Sequence, residues 1–312
     1  MGGDATGLDQ APEMGLAGGM SVRVGLVGAG PWAGMFHAPM LSADAGTTLG
    51  AVWSRRHEAA EALAAEHGTT AVETFEDLLA RCDAVAFAVP PDVQAEMAVV
   101  AAAAGKHLIL EKPLAFTLED AERLTAAVDE AGVQTVLMLR NRFTAVGQAF
   151  VESAHASPSR GGVASFVTGA ALEGSPFATP WRVERGALFD LGPHLLDLMD
   201  AAMGRIEHVE AAGDPVRWIS LITHHEGGAL GSASLSITTP GVTGGFRCEV
   251  FTETGPVVFD GNESDKDTGV SEAITRALAR AVETGEAPLV DVHRGLHLQR
   301  LIAQVEAALD LD

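Results

Sequence analysis

The stretch Val24-Gly25-Leu26-Val27-Gly28-Ala29-Gly30-Pro31-Trp32-Ala33-Gly34 decides the fold. An apolar run, Val22–Val27, feeds straight into Gly28-Ala29-Gly30, and a helical pattern over 33–41 begins at once. Gly28 permits a tight turn, and Gly30 lets the backbone approach a pyrophosphate closely. The helix N-terminus then offers free N–H groups and the positive end of its dipole. The third glycine position of this pattern holds Ala33. In a chain with 35 glycines a lone G-x-G says little. Its place after the first strand of an alternating domain makes it a dinucleotide-site signal rather than a structural turn.

The alternation runs on downstream. Strand-like segments at 49–53, 84–89, His107–Leu110 and 134–138 are separated by helical patterns at 58–66, after Pro90-Pro91, and from Thr117 to Gly132. Asp92 is expected to cap the helix after the prolines and Gly105 to end it. Thr117, followed by Glu119 and Asp120, reads as a helix start. Uniformly apolar strands between helices imply a parallel, doubly wound sheet covered on both faces, an α/β Rossmann domain over residues 20–141. After about Arg140 the rhythm changes. A helix is predicted at 145–156 and another at 188–203. Strands are predicted at 163–172, 209–212, 218–223, 229–237 and Phe246–Thr252, and helices at 271–283 and from Asp291 onward. Short Gly-rich connections favour antiparallel pairing. Residues 142–312 are therefore expected to form an α+β domain with an open, mostly antiparallel sheet, its last helix packing back on the first domain. Residues 1–19, rich in Gly and Ala, are expected to be a disordered extension.

Composition narrows the function. The chain has 312 residues, 47% of them hydrophobic, enough for a sizeable core. Its net charge of −22, from 20 basic and 42 acidic residues, repels phosphate backbones and anionic headgroups. Nucleic-acid and membrane partners are not expected. Two separated cysteines, Cys82 and Cys248, make neither a disulfide framework nor a metal cluster. They read as buried, reduced thiols of a cytoplasmic protein. No apolar run is long enough to span a bilayer, and the N-terminus lacks the basic start and apolar stretch of a signal peptide.

Three further patterns carry chemistry. Strand two ends in Val52-Trp53-Ser54-Arg55-Arg56, where an NAD site usually presents an acid to the ribose 2′-hydroxyl. Ser54, Arg55 and Arg56 suit a 2′-phosphate instead, so NADP is expected over NAD; a solvated basic turn is the plainer reading. Glu111-Lys112-Pro113 follows strand His107–Leu110, at the end that faces the ligand crevice. Lys112 there can meet a substrate oxygen or the nicotinamide, or it is an ordinary surface pair with Glu111. In Asp190-Leu191-Gly192-Pro193-His194-Leu195-Leu196-Asp197, helical spacing puts Asp190, His194 and Asp197 on one face. A carboxylate beside imidazole orients it and favours its charged form, and histidine's reference pKa near 6.5 suits proton transfer near neutrality. A capping Asp with a buried structural His is the alternative.

These motifs, in this order, resemble the glucose–fructose oxidoreductase / inositol dehydrogenase / MocA (Gfo/Idh/MocA) family, and the likeness covers nearly all of the chain after Met20. It rests on the fingerprint Gly28-Ala29-Gly30-Pro31-Trp32-Ala33, on Pro90-Pro91 and on Ala104 to Pro113 ending in Glu111-Lys112-Pro113. It rests also on Asn141-Arg142-Phe143 and on Asp190 to Asp197. The resemblance implies a cofactor site that includes Gly28, Gly30, Pro31, Trp32, Ala33, Ser54, Arg55, Arg56, Pro90, Pro91, Glu111 and Lys112. It implies catalysis by Lys112, Asp190 and His194, and a second-domain sheet that mediates a homodimer or homotetramer; no metal site is expected, since His293 and His297 have no evident third ligand. The chain departs from the family pattern at Gln94, where a His is frequent, in the reduced lead-in Arg185-Gly186-Ala187, and in having no tyrosine.

The expected function is hydride transfer between NAD(P)(H) and a secondary alcohol or ketone of a sugar, polyol or related small molecule. A redox-neutral NAD-dependent glycoside hydrolase and a non-catalytic dinucleotide-binding regulator are the alternatives. The remaining histidines get bland readings. His293 and His297, four apart on the last helix, are expected on a solvated face. His224 and His225 point to opposite sides of a strand.

Overall fold

The computed structural model describes residues 21–310 except 44, 243 and 244; the extension expected over 1–19 lies outside the described residues. The first sheet is five-stranded and wholly parallel. Its strands are β1 (Val22–Val27), β2 (Thr47–Trp53), β3 (Ala84–Phe87), β4 (His107–Leu110) and β5 (Thr135–Leu137), in the order β2-β1-β3-β4-β5. The crossover helices are α1 (Ala38–Ser42), α2 (His57–Glu66), α3 (Phe75–Ala80), α4 (Pro91–Ala103) and α5 (Leu118–Ala131). Strand β3 is buried at every position and β1 at all but Arg23, as a sheet covered on both faces requires. Local signals set several helix ends. Thr74 accepts the Asp77 N–H and Thr117 the Asp120 N–H, and Gly132, in the left-handed region, closes α5. Asp92 does not cap α4. The helix already starts at Pro91 with Pro90 before it, so Asp92 sits inside the first turn, where its charge still complements the dipole. The helix after the glycines holds a π-helical segment, Ala33–His37, ahead of α1.

The second sheet has six strands: β6 (Ser159–Val167), β7 (Ile206–Asp214), β8 (Trp218–His225), β9 (Leu230–Ser236), β10 (Phe246–Thr252) and β11 (Gly255–Asp260). Their order is β11-β10-β6-β9-β8-β7. All pairs are antiparallel except β6 with β9. The consecutive-hairpin expectation therefore holds for β7-β8-β9 but not for β9-β10, because β6 inserts between them; β11, which no expectation covered, pairs antiparallel with β10. One face is covered by α8 (Gly192–Met203), packed on β6 and β10, and by α11 (Val292–Ala308), packed on β7. The same α11 also lies against α5 and β5 of the first sheet's layer. The other face is open, and the registered row Val258, Glu249, Val163, Ser232, Ile222, Glu210 crosses all six strands on it. Val258, Val163 and Ile222 of that row are exposed. The helix predicted at 188–203 is two helices, α7 (Pro180–Asp190) and α8, joined at Leu191. Helices α6 (Ala145–His155), α9 (Gly261–Ser264) and α10 (Val270–Thr284) complete the fold. Among the described residues no helix is long and apolar enough to cross a membrane.

Candidate active site

The parallel strands aim their carboxyl ends at two cavities. The first, of about 420 Å³, is walled by Gly28, Ala29 and Gly30 after β1, by Trp53 to Arg56 after β2, and by Ala88 to Pro90 after β3. Gly28 has φ +115°, and a Cβ there would lie 2.5 Å from the Ala88 carbonyl oxygen, so only glycine fits. Gly30 is different: a Cβ there would meet nothing within 4 Å. Its open side is room for a ligand against bare backbone, the cradle a pyrophosphate needs. Ser54, Arg55 and Arg56 line the same cavity, both arginines are exposed, and no carboxylate is on its wall. These residues fit a dinucleotide. Of the twelve expected cofactor residues, Gly28, Gly30, Ser54, Arg55, Arg56 and Pro90 meet here. Pro31, Ala33 and Pro91 do not line it: Pro31 is exposed, Ala33 is buried in the π-helical segment and Pro91 starts α4.

Trp32, Glu111 and Lys112 line the second cavity, of about 360 Å³, together with Asp190, Leu191 and His194. Glu111 is fixed from every side. Its Oε1 accepts from Trp32 Nε1 at 2.6 Å and sits 2.8 Å from His37 Nε2. Gln94 holds the Glu111 backbone, accepting from its N–H at 2.7 Å and donating to its carbonyl at 2.8 Å. Thus Gln94 clamps the end of β4. Burial works against the Glu111 charge, but bonding to and the charge of His37, then Lys112 and Trp32, hold its carboxyl below the usual range.

Lys112 Nζ donates to Asp190 Oδ1 at 2.7 Å and to the Asp190 carbonyl at 2.8 Å. Arg182 Nε lies 3.1 Å from Asp190 Oδ2. Burial opposes the Asp190 charge, yet the two cations outweigh it and hold the carboxyl at about 2. This corrects the expectation that Asp190 orients His194. Spacing along a helix does not show the cations brought in beside it: the Asp190 carboxylate pairs with Lys112 and Arg182 instead. His194 stands in the cavity wall, partly buried, with Nδ1 shielded and without a hydrogen-bond partner. Burial, then the Lys112 charge, push its imidazole down to about 3. The charged form expected from a neighbouring carboxylate is thus disfavoured, and His194 is neutral at neutral pH.

Asp197, the third member of the expected face, is buried and bound instead by Arg142 at 3.1 Å and Arg294 at 2.6 Å. With Asp200 and His297 (2.7 Å apart) these residues tie α8 to α11. His297 is therefore buried, not on a solvated face as its spacing suggested; His293 is exposed, 3.2 Å from Asp129. Exposed His224 faces Glu210, while buried His225 bonds Thr223 and the Gly204 carbonyl. Among the described residues, no three His, Cys, Asp or Glu side chains are grouped to hold a metal. Missed by the sequence reading were Arg140, Arg182 and the aromatic wall of Phe166, Phe177 and Phe246. They come from separate elements, and no spacing links them.

The arrangement offers a proton acceptor, an ammonium held by a carboxylate, and a dinucleotide cradle. Comparisons with known proteins agree in kind. Over 114 residues the chain is 37% identical to a dTDP-3,4-didehydro-2,6-dideoxy-alpha-D-glucose 3-reductase of Actinomadura kijaniata, covering 36% of this chain and 34% of that one. Over 143 residues it is 34% identical to the D-apiose dehydrogenase of Paraburkholderia graminis, covering 41% and 37%. These matches thus span little more than a third of either relative. In structure it resembles the WlbA dehydrogenase of Bordetella pertussis in complex with NADH and UDP-GlcNAcA, with a TM-score of 0.82 at 21% identity over 93% and 96% of the two chains, a likeness of fold alone. Family models match residues 22–139, as the NAD-binding Rossmann fold of an oxidoreductase family, and 160–258, as the GFO/IDH/MocA C-terminal domain. Together they take in more than half of the chain, which belongs to the GFO/IDH/MocA family of oxidoreductases.

Proposed function

We propose that this chain transfers hydride between NADP(H) and a secondary alcohol or ketone of a sugar, polyol or related small molecule. The observation that carries the reading is the cavity in which Lys112, Asp190 and His194 meet, at the carboxyl ends of the strands that also carry the glycine cradle. The named relatives that act on sugars support the substrate class. Arg55 and Arg56 at the dinucleotide cavity, with no acid beside them, support NADP over NAD.

When bound, a nicotinamide cofactor would supply the redox chemistry; the protein positions the substrate and handles the proton. Lys112 has three N–H donors, and Asp190 takes two of them. The third is left for the substrate oxygen, where the ammonium steadies developing negative charge. In oxidation His194, neutral and lining the cavity, accepts the hydroxyl proton. In reduction the same His194 returns the proton. Its low pKa makes it a weak base and favours a second assignment, the same in both directions, in which Lys112 exchanges the proton with the substrate oxygen and His194 binds the substrate. The test is a screen of sugars, polyols and their keto forms with both cofactors, read by nicotinamide absorbance. Turnover of a member of this class bears the proposal out; none across the panel overturns it.

A further inference from the structure

Lys112 and Arg182 share the Asp190 carboxylate, but a third cation of the same cavity, Arg140, has no such partner among the described residues. Its guanidinium lies 4.9 Å over the Phe36 ring. Stacking covers a face of the group and leaves its N–H edge, the part that grips a planar anion. Among the described residues the shielded Arg140 Nε has no hydrogen-bond partner. Arg182 Nε is shielded and unbonded too, but it lies 3.1 Å from Asp190 Oδ2, whereas among the described residues Arg140 has no carboxylate so near. An unpaired guanidinium is the more unusual in a chain with 42 acidic and 20 basic residues. The cavity's carboxylates do not answer it: Glu111 is bonded to Trp32 and His37, Asp190 is taken, and Asp265 is exposed.

We infer that the substrate carries a carboxylate, and that Arg140 binds it in the cavity shared with Lys112 and His194. The inference rests on the hydride-transfer reading of that cavity. One unpaired cation matches one negative charge, which favours a sugar acid over a dianionic sugar phosphate. The apolar side of the cavity, from Phe166 to Phe246, suits the C–H face of a sugar ring.

The test is calorimetry on the NADPH-loaded protein, which cannot oxidise them, with D-glucuronate, D-galacturonate and D-gluconate against glucose, galactose and sorbitol, with a hexose phosphate as a further arm. The acids are expected to bind at least about tenfold tighter than their neutral counterparts. In Arg140→Gln the ratio of acid to neutral affinity should fall by about 10- to 100-fold, the range of a charge-assisted hydrogen bond, and Arg140→Lys should restore part of it. Reading the ratio within one variant cancels general damage to the fold. Equal binding of acids and neutral sugars in the parent overturns the inference. So does preference for the phosphate, or an Arg140→Gln protein that loses NADP affinity as much as acid affinity. Because binding is read without turnover, the two readings separate. Acids that bind but are never oxidised leave this inference standing and sink hydride transfer. Neutral sugars that are oxidised without any preference for acids do the reverse.

Discussion

At the scale of single residues the account turns on His194 and on the arginines after β2. If His194 accepts the substrate proton, His194→Ala should lower the rate of oxidation by about 10²–10⁴-fold, with cofactor affinity nearly unchanged. The pH dependence carries the sharper information. A base acts only when deprotonated, so a group held at about 3 is competent throughout the neutral range, and the rate falls only as pH approaches that value. The pH–rate profiles of parent and His194→Ala should therefore share one shape between about pH 5 and 8, although histidine's ordinary value lies inside that window. An inflection near neutrality that the substitution removes would contradict the low pKa; an unchanged rate would remove His194 from the chemistry. For the cofactor, Arg55→Ala with Arg56→Ala should weaken NADP by about ten- to a hundredfold more than NAD, since only NADP presents the 2′-phosphate. Equal weakening of both, or a parent that binds NAD more tightly, would defeat that reading. Lys112 and His194 were legible because motif spacing marks them. The partner of Asp190 was not, because Lys112 comes from a separate element and no spacing links the two.

At the scale of elements, the turn from β1 into the following helix makes a prediction that separates structure from function. Gly28 is constrained by the protein itself, through positive φ and the Ala88 carbonyl, whereas Gly30 faces open space. Gly28→Ala should lower the melting temperature and weaken cofactor binding together. Gly30→Val should leave the melting temperature near the parent's and cost cofactor affinity alone. Gly30→Val that binds both dinucleotides as the parent does would show that no pyrophosphate lies there. The first sheet was readable because strands buried on both faces are uniformly apolar, and helix caps such as Thr117 and Gly132 punctuate them. The second sheet was less so. Strand β11 was missed, since Phe259 alone among its residues is buried and its composition carries little pattern. The place of β6 between β9 and β10 escaped as well, because pairing across that much sequence leaves no local trace. Helix α3 is short, and its three buried residues, Phe75, Leu78 and Leu79, fall in a single turn and a half.

At the scale of the molecule, the uncovered face of the second sheet bears on assembly. Val163, Trp218, Ile222, Leu230, Phe251 and Val258 are each more than 40% exposed, and several lie on neighbouring strands in register. Large apolar patches on a protein surface mark interaction sites. We propose a homo-oligomer through this face, with a stable interface of about 1,200–2,000 Å² in total. Light scattering at micromolar concentration should give a dimer or tetramer. Ile222→Lys with Val163→Lys should shift it toward monomer; a parent that is monomeric throughout would reject the proposal. Above all, this chain is proposed to move hydride to and from NADP rather than to act as a redox-neutral hydrolase or a binding protein. The most direct measurement is stoichiometry: NADPH formed against substrate oxidised, followed to completion with the parent and with Lys112→Ala. The account predicts one NADPH for each substrate oxidised, and a Lys112→Ala protein that still binds NADP but loses most of the rate. Substrate consumed with no net NADPH, or an equally active Lys112→Ala protein, would contradict it.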